Sequence, residues 1–317
     1  MPQIVLDPGF KGRDFISIHD YTEQEVYEVF RVASWLKEKQ RKGQPHPLLA
    51  GKTLGMIFTK SSTRTRVSFE VGIYQLGGYG LFLSANDLQL RRGETIGDTA
   101  QTLSRYLDGI LIRTFDHQDV LDLAWYATIP VINGLTDLLH PCQVMGDLFT
   151  IQEKKGRLKG LKLAFIGDGN NVAHSLLFGG AKVGMDVTIA CPRGYEPNSR
   201  ILELARQDAE VSGAELRIVH DPGEAVKGAD VVYTDVWASM GMESEVERRK
   251  YDFVGFQVNR ELLAGAKPEA IVMHCLPAHR GEEITDEVMD GPQSVVFDEA
   301  ENRLHVQKAI MALVMAD

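Results

Sequence analysis

The apolar positions of the chain change period along its length. Between Thr22 and Lys42, Val26, Val29, Phe30, Ala33 and Leu36 fall on one helical face. Thr22 and Glu25 have capping-box spacing, and Gly43 and Pro45 mark the helix end. Short apolar runs then alternate with helical stretches. TLGMIF, YGLFL, GILIR and PVIN predict strands, and a helix beginning near Arg64, then DTAQTLSRYL and QDVLDLAWYA, predict the intervening helices. A longer helix is predicted from about Pro141 to Lys154, followed by a junction, KKGRLKG. A second series has KLAFIG, DVTIAC, ELRIVH, DVVYTD, AIVMHC and SVVF as strands, with a last helix over 300–316.

This order predicts an α/β protein of two doubly wound parallel-sheet domains, with an active-site cleft between them at the C-terminal ends of the strands. The expected domains are residues 1–148 and 149–299, the helix over about 300–317 packing back on the first. The helices near 141–154 and 300–316 are expected to cross between the two. The 317 residues suffice for two domains of ordinary size.

Composition narrows the function only by exclusion. A net charge of −10 argues against a general nucleic-acid binder, which would carry a basic face. No apolar run approaches the length of a membrane span, and the N-terminus lacks the pattern of a secretory signal. Three scattered cysteines, Cys142, Cys191 and Cys275, are too few for a disulfide framework and suit a reducing cytoplasm.

The most specific chemistry lies at Ser61-Ser62-Thr63-Arg64-Thr65-Arg66, after a predicted strand and before a predicted helix. A helix N-terminus offers unpaired N–H groups and a positive dipole end. Ser62, Thr63 and Thr65 add hydroxyls, and Arg64 adds a charged fork. Two hydroxyls and an arginine alone would read as a cap, but four donors in one turn point to anion binding. Arg113 ends the strand GILIR, where ligands gather, although taken alone a surface ion pair is the favoured reading. His140 and Gln143 stand at a predicted helix start, where they either cap or donate to a ligand.

In the second half, FIGDGNNV sits where a nucleotide-binding glycine turn would. Its third glycine position holds Val172, and the next strand ends in Cys191 rather than an acid, which speaks against a dehydrogenase. Asn170 and Asn171 instead present amides suited to a carboxylate or amino group. Asp235 to Gly241 and His274 to Pro277 place further polar groups at strand ends. Asp235 is a helix cap in the plainer reading, and Cys275 an inert buried thiol. Zinc at His274, Cys275 and His279 lacks a matching second cluster.

Taken together, SSTRTR with SFE, HPCQ, the DVWASMG stretch and HCLP resemble the transcarbamoylases, and among them the ornithine carbamoyltransferases. The resemblance runs from GRDF to AENR. STRTR and HPCQ mark the superfamily, while the SMG loop and HCLP point to ornithine rather than aspartate as acceptor. The resemblance implies transfer of the carbamoyl group of carbamoyl phosphate to the δ-amino group of L-ornithine, giving citrulline and phosphate. Relatives that act on N-acetylornithine or putrescine share part of the pattern and are the alternative. The resemblance also implies that Ser62, Thr63, Arg64, Thr65, Arg113, His140, Gln143 and Arg303 bind carbamoyl phosphate, with Gln89 reaching toward a neighbouring subunit's site. Asn171, Asp235, Ser239 and the backbone of Met240 match ornithine contacts, and Cys275 and Leu276 lie beside the reacting amine. A homotrimer or a multiple of trimers is implied, with no metal or organic cofactor.

The chemistry sets two demands. One charge pair at about 4 Å is worth roughly 4 kcal/mol at an effective dielectric near 20, so convergent Arg64, Arg113 and Arg303 could hold a dianion. His140, Arg113 and Thr65 could face the carbamoyl oxygen as charge develops on it. An amine with a solution pKa of about 10.4 must lose its proton, at a cost of roughly 4.6 kcal/mol at pH 7. Asp235 and Cys275 are the candidates for orienting it and taking that proton, and the rate is expected to rise toward alkaline pH. The domains are expected to close on binding, ordering the SMG loop.

Overall fold

The structure, a computed structural model, describes residues 4–84, 88, 93–239 and 241–317, and only the backbone of Glu243. The chain divides into two compact units, Met1–Gly146 with Asn302–Asp317, and Asp147–Glu301.

The first unit opens with helix α1 (Glu23–Arg41), where Thr22 and Glu25 complete the capping box in both directions. It continues through β1 (Thr53–Phe58), α2 (Thr63–Gln75), β2 (Tyr79–Ser84), α3 (Ile96–Leu103), β3 (Gly109–Arg113), α4 (His117–Tyr126), β4 (Val131–Leu135) and the first part of α5 (Pro141–Lys155). The strands pair in parallel in the order β2-β1-β3-β4. Every residue of β3 and all but the first of β1 are buried, as continuous apolar runs dictate for strands covered on both faces. Ile57, Ile110, Ile112 and Val131 pack with Ala100, Val120 and Leu123 of α3 and α4 into one core. Strand β2 is the edge and leaves Tyr79 and Leu81 exposed. Regular pairing of β3 with β4 breaks between Ile112 and Arg113, a device that re-aims a side chain at a strand end.

The second unit holds β5 (Lys162–Ile166), α6 (Asn171–Val183), β6 (Asp186–Ala190), α7 (Ser199–Ser212), β7 (Leu216–Val219), α8 (Pro222–Val226), β8 (Val231–Thr234), α9 (Val246–Asp252), α10 (Arg260–Leu263), β9 (Ile271–His274), α11 (Asp286–Met289) and the start of α12 (Val296–Met315). Its parallel sheet has the order β7-β6-β5-β8-β9. Helix α6 is buried along nearly its whole length. The expected strand SVVF is not one. Ser294 makes an isolated bridge to Val272, and Val296 already begins α12. A four-residue apolar run does not distinguish a strand from a buried helix start, and Asp298 and Glu299 in the first turn favour the helix. The C-terminal part of α12 packs on α2 in the first unit so closely that a Cβ at Gly72 would meet Met311 Cε at 2.9 Å and Lys308 Cγ at 3.1 Å.

Candidate active site

In each sheet the strand order reverses once, between β1 and β3 and between β5 and β8, and a crevice opens at the carboxyl ends of such a pair. The polar residues gather at these two places.

In the first unit, Ser62 caps α2 from an extended conformation, its Oγ accepting from Thr65 N at 3.3 Å. Thr65 is buried, and its Oγ1 accepts from Arg303 Nη2 at 2.9 Å and from Arg113 Nη1 at 3.4 Å. Both lone pairs of the hydroxyl are thus used, leaving its own hydrogen to donate to a ligand oxygen. Thr63 is exposed and Arg64 half-buried on the same turn. Arg66 is held elsewhere, by Glu70 at 3.0 Å and over the ring of Phe82 at 3.7 Å. His140 and Gln143 are buried where α5 begins, Gln143 N donating to His140 O at 3.2 Å.

Burial and the charges of Arg303, Arg113 and Arg64 hold the His140 imidazole well below its ordinary value. It is neutral at pH 7 and can donate an N–H without adding charge. Three guanidiniums from three elements therefore act at one point beside a helix N-terminus, an arrangement that fits a dianion. Cys142 lies behind it, its thiol donating to Asn133 O at 3.3 Å and pushed by burial up to about 12, so it is inert. Gln89 lies outside the described residues.

In the second unit, Asn170 caps α6, its Oδ1 accepting from Val172 N at 2.9 Å and Ala173 N at 3.1 Å. Its Nδ2 reaches Asp235 Oδ2 at 2.9 Å and Ser239 Oγ at 3.3 Å. A Cβ at Gly169 would lie 2.3 Å from Pro197 N and 2.6 Å from Tyr195 O, so only glycine allows this turn its close approach. Asn171 is buried as the first residue of α6. Asp235, just past β8, accepts at Oδ1 from Val236 N at 2.8 Å and from Cys275 Sγ at 3.0 Å. Burial and then Asp235, with Glu299 and Asp147 behind it, push the Cys275 thiol well up. Cys275 is therefore a thiol at neutral pH and the donor in that bond.

Leu276 has φ 58°, which costs a non-glycine residue about 1 kcal/mol or more. Its N–H is held by His274 Nδ1 at 2.9 Å, and the opposite ring nitrogen donates to Glu283 Oε1 at 2.9 Å. Asp235, His274 and Cys275 bring possible metal ligands within 4.8 Å, but both imidazole nitrogens are already committed. In the other such group, Glu283 also accepts from His279 N and Glu282 pairs with Lys250. Met240 lies outside the described residues.

Two family models match the chain. The carbamoyl-P binding domain of aspartate/ornithine carbamoyltransferase matches residues 13–153, and the Asp/Orn binding domain matches residues 159–314. The chain belongs to the aspartate/ornithine carbamoyltransferase family. An ornithine carbamoyltransferase of Thermococcus kodakarensis is 62% identical over 304 residues, covering 96% of each chain. One of Symbiobacterium thermophilum is 62% identical over 306 residues, covering 96% of this chain and 99% of that protein. The solved ornithine carbamoyltransferase of Pyrococcus furiosus superposes with a TM-score of 0.94 at 58% identity, over 98% of this chain and 99% of the other.

Within this family member, the structure gives Asn170 partners in place of the ligand contact its sequence suggested, and adds Arg249, which the sequence leaves without a role. Asn170 ties Asp235 to Ser239, and a capping asparagine at a strand–helix turn was the signal for it. Arg249 donates to Asp168 Oδ2 at 2.8 Å and to Trp237 O at 2.7 Å, strapping the loop after β8. Those partners lie 81 and 12 residues from Arg249, and nothing local announces the first.

Proposed function

We propose that this protein transfers the carbamoyl group of carbamoyl phosphate to the δ-amino nitrogen of L-ornithine. The observation that carries the reading is the pairing of chemistries, one per unit. The first offers three guanidiniums, a helix N-terminus and a neutral imidazole around Thr65. The second offers Asp235, Cys275, Asn170 and Ser239. Membership of a family whose relatives bear this name supports it.

Arg64, Arg113, Arg303 and the N–H groups at Ser62–Thr65 hold the phosphate, and Gln143 reads the carbamoyl amide. Gln89 of a neighbouring copy adds an uncharged amide donor. Ornithine is held by Asn171, Ser239 and the backbone of Met240. Its neutral δ-nitrogen attacks the carbamoyl carbon, and charge developing on the carbonyl oxygen is met by His140, Arg113 and the hydrogen of Thr65. The carbon–oxygen bond to phosphate then breaks, and phosphate leaves with the electron pair. Cys275, being a thiol, orients Asp235 rather than acting as the base. Asp235 accepts the proton that the amine sheds, or passes it to the departing phosphate. Leu276 lies beside the new bond. Deprotonating the amine limits the rate at neutral pH, so turnover rises toward pH 9. No metal or organic cofactor takes part.

We further infer a trimer or multiple of trimers. Val67, Val71 and Tyr74 recur at helical spacing on α2 and are exposed, an apolar stripe on the first unit that suits a second copy. No helix among the described residues is long and apolar enough to cross a membrane, and Cys142, Cys191 and Cys275 are free, which agrees with a cytoplasmic enzyme.

The test is to give purified protein carbamoyl phosphate with ornithine, N-acetylornithine, putrescine or aspartate in turn, and to identify the carbamoylated product by mass. Product with ornithine alone is expected. Preference for another acceptor overturns the acceptor assignment.

A further inference from the structure

The transfer mechanism leaves unused a buried cluster beneath Asp235 and Cys275. Tyr233 on β8 stands two residues before Asp235, and it is joined by Asp147 of α5 and Glu299 of α12. All three are at most 1% exposed. The Tyr233 hydroxyl lies 3.1 Å from Asp147 Oδ2 and 3.3 Å from Glu299 Oε1. Glu299 Oε2 accepts the backbone N–H of His274 at 3.0 Å, one residue before Cys275.

Counting hydrogens decides the state of this cluster. A phenol carries one hydrogen and can donate to one carboxylate only. The contact to the second carboxyl therefore needs a hydrogen on that carboxyl, with the phenol oxygen as its acceptor. Two ionised carboxylates this close and this buried would suffer both desolvation and mutual repulsion. We propose that Asp147 and Glu299 share one retained proton and that, with Tyr233, they are positioning residues fixing the ends of β8 and β9 on which Asp235 and Cys275 stand.

The role in positioning the amine-handling pair rests on the functional reading above, while the proton count does not. Burial and Asp147 push the Glu299 carboxyl well above the usual carboxylate range, in keeping with the retained proton. The titratable groups that act on the pair from the strands include Tyr233 of β8 and Cys275 after β9, with the His274 backbone N–H donating to Glu299. The single negative charge left on the cluster adds to that of Asp235 in keeping Cys275 a thiol, which is the form that donates to Asp235.

Infrared difference spectra at neutral pH between the full-length protein and its Glu299→Gln and Asp147→Asn variants provide the test. An amide supplies the bridging hydrogen itself, so each variant is expected to lose the carbonyl stretch of a protonated carboxylic acid that the parent shows. Glu299→Gln should keep turnover and ornithine KM within about threefold, whereas Glu299→Ala should raise ornithine KM by about tenfold or more and leave carbamoyl phosphate KM unchanged. Melting gives a readout independent of activity. A carboxyl whose folded value is raised stabilises most fully below its ordinary value of about 4.5, and that stability is lost as pH rises through the folded value. The parent's melting temperature should therefore fall more steeply toward alkaline pH than that of Glu299→Gln. Absence of an acid band in the parent overturns the shared proton, even in an active enzyme. A band together with unchanged ornithine kinetics in Glu299→Ala overturns the positioning role. Absence of carbamoyl transfer would count against the functional reading, while the band and the melting profile would still decide the shared proton.

Discussion

Thr65 shows how much one side chain can organise. Its hydroxyl oxygen accepts from two arginines that stand 48 and 238 residues away along the chain, and so fixes both in place before any ligand arrives. Gathering Arg64, Arg113 and Arg303 costs repulsion that the proposed dianion would offset on binding. Loss of one should remove roughly 3 kcal/mol, so Arg64→Ala is expected to lower kcat/KM about a hundredfold or more, and a fall of only a few-fold contradicts the assignment. The same charges act on His140. Its imidazole is held below its ordinary value, so it loses its proton below the usual range and stays neutral above it. NMR of the histidine ring should show no titration of His140 over roughly pH 5.5–8, the range in which an ordinary histidine changes charge. A midpoint near the ordinary value would mean that the arginines do not converge on it.

Among the elements, the loop after β8 is held by a side-chain strap in addition to turns of its own backbone. Arg249 joins Asp168 after β5 to the Trp237 carbonyl, and Trp237 stacks on Phe253, their ring centroids 5.8 Å apart. Burial pushes the Asp168 carboxyl up to about 6 against the pull of Arg249. The pair with Arg249 is intact above that value and is lost as pH falls through it. Ornithine KM should therefore rise as pH drops below about 6, and Asp168→Asn should raise it at every pH and remove that dependence. A parent KM that is flat across the window contradicts the strap.

The elements also show what could be read from the chain. The central strands were legible because a parallel strand buried on both faces is a continuous apolar run. Helix α1 was legible from Thr22, Glu25 and its period. SVVF was misread because four apolar residues suit either structure. Among the proposed site residues, the turn at Ser62–Thr65 is legible from its donors, and Arg113 from its place at a strand end. Arg303 came only from resemblance, since one arginine in a long helix has no local signature. The partnership of Arg249 with Asp168, and that of Glu299 with Asp147 and Tyr233, link distant residues, and only the tertiary structure brings them together.

For the whole molecule, net charge and local charge point in opposite directions. The chain carries −10 overall, yet the first unit concentrates three arginines at one helix start. The division of the chain is equally informative. The boundaries between the compact units fall inside α5 and α12, with Gln143 and Arg303 on their first-unit sides and Asp147 and Glu299 on their second-unit sides. The same two helices thus bear groups of the phosphate site and of the acid cluster. The central claim is that the two chemistries operate in one reaction, with phosphate leaving only when ornithine attacks. The direct measurement follows citrulline and inorganic phosphate together, with and without ornithine, at saturating carbamoyl phosphate. The account predicts equal amounts of citrulline and enzyme-dependent phosphate, and no enzyme-dependent phosphate when ornithine is omitted. Phosphate released without citrulline, or neither product, would contradict it.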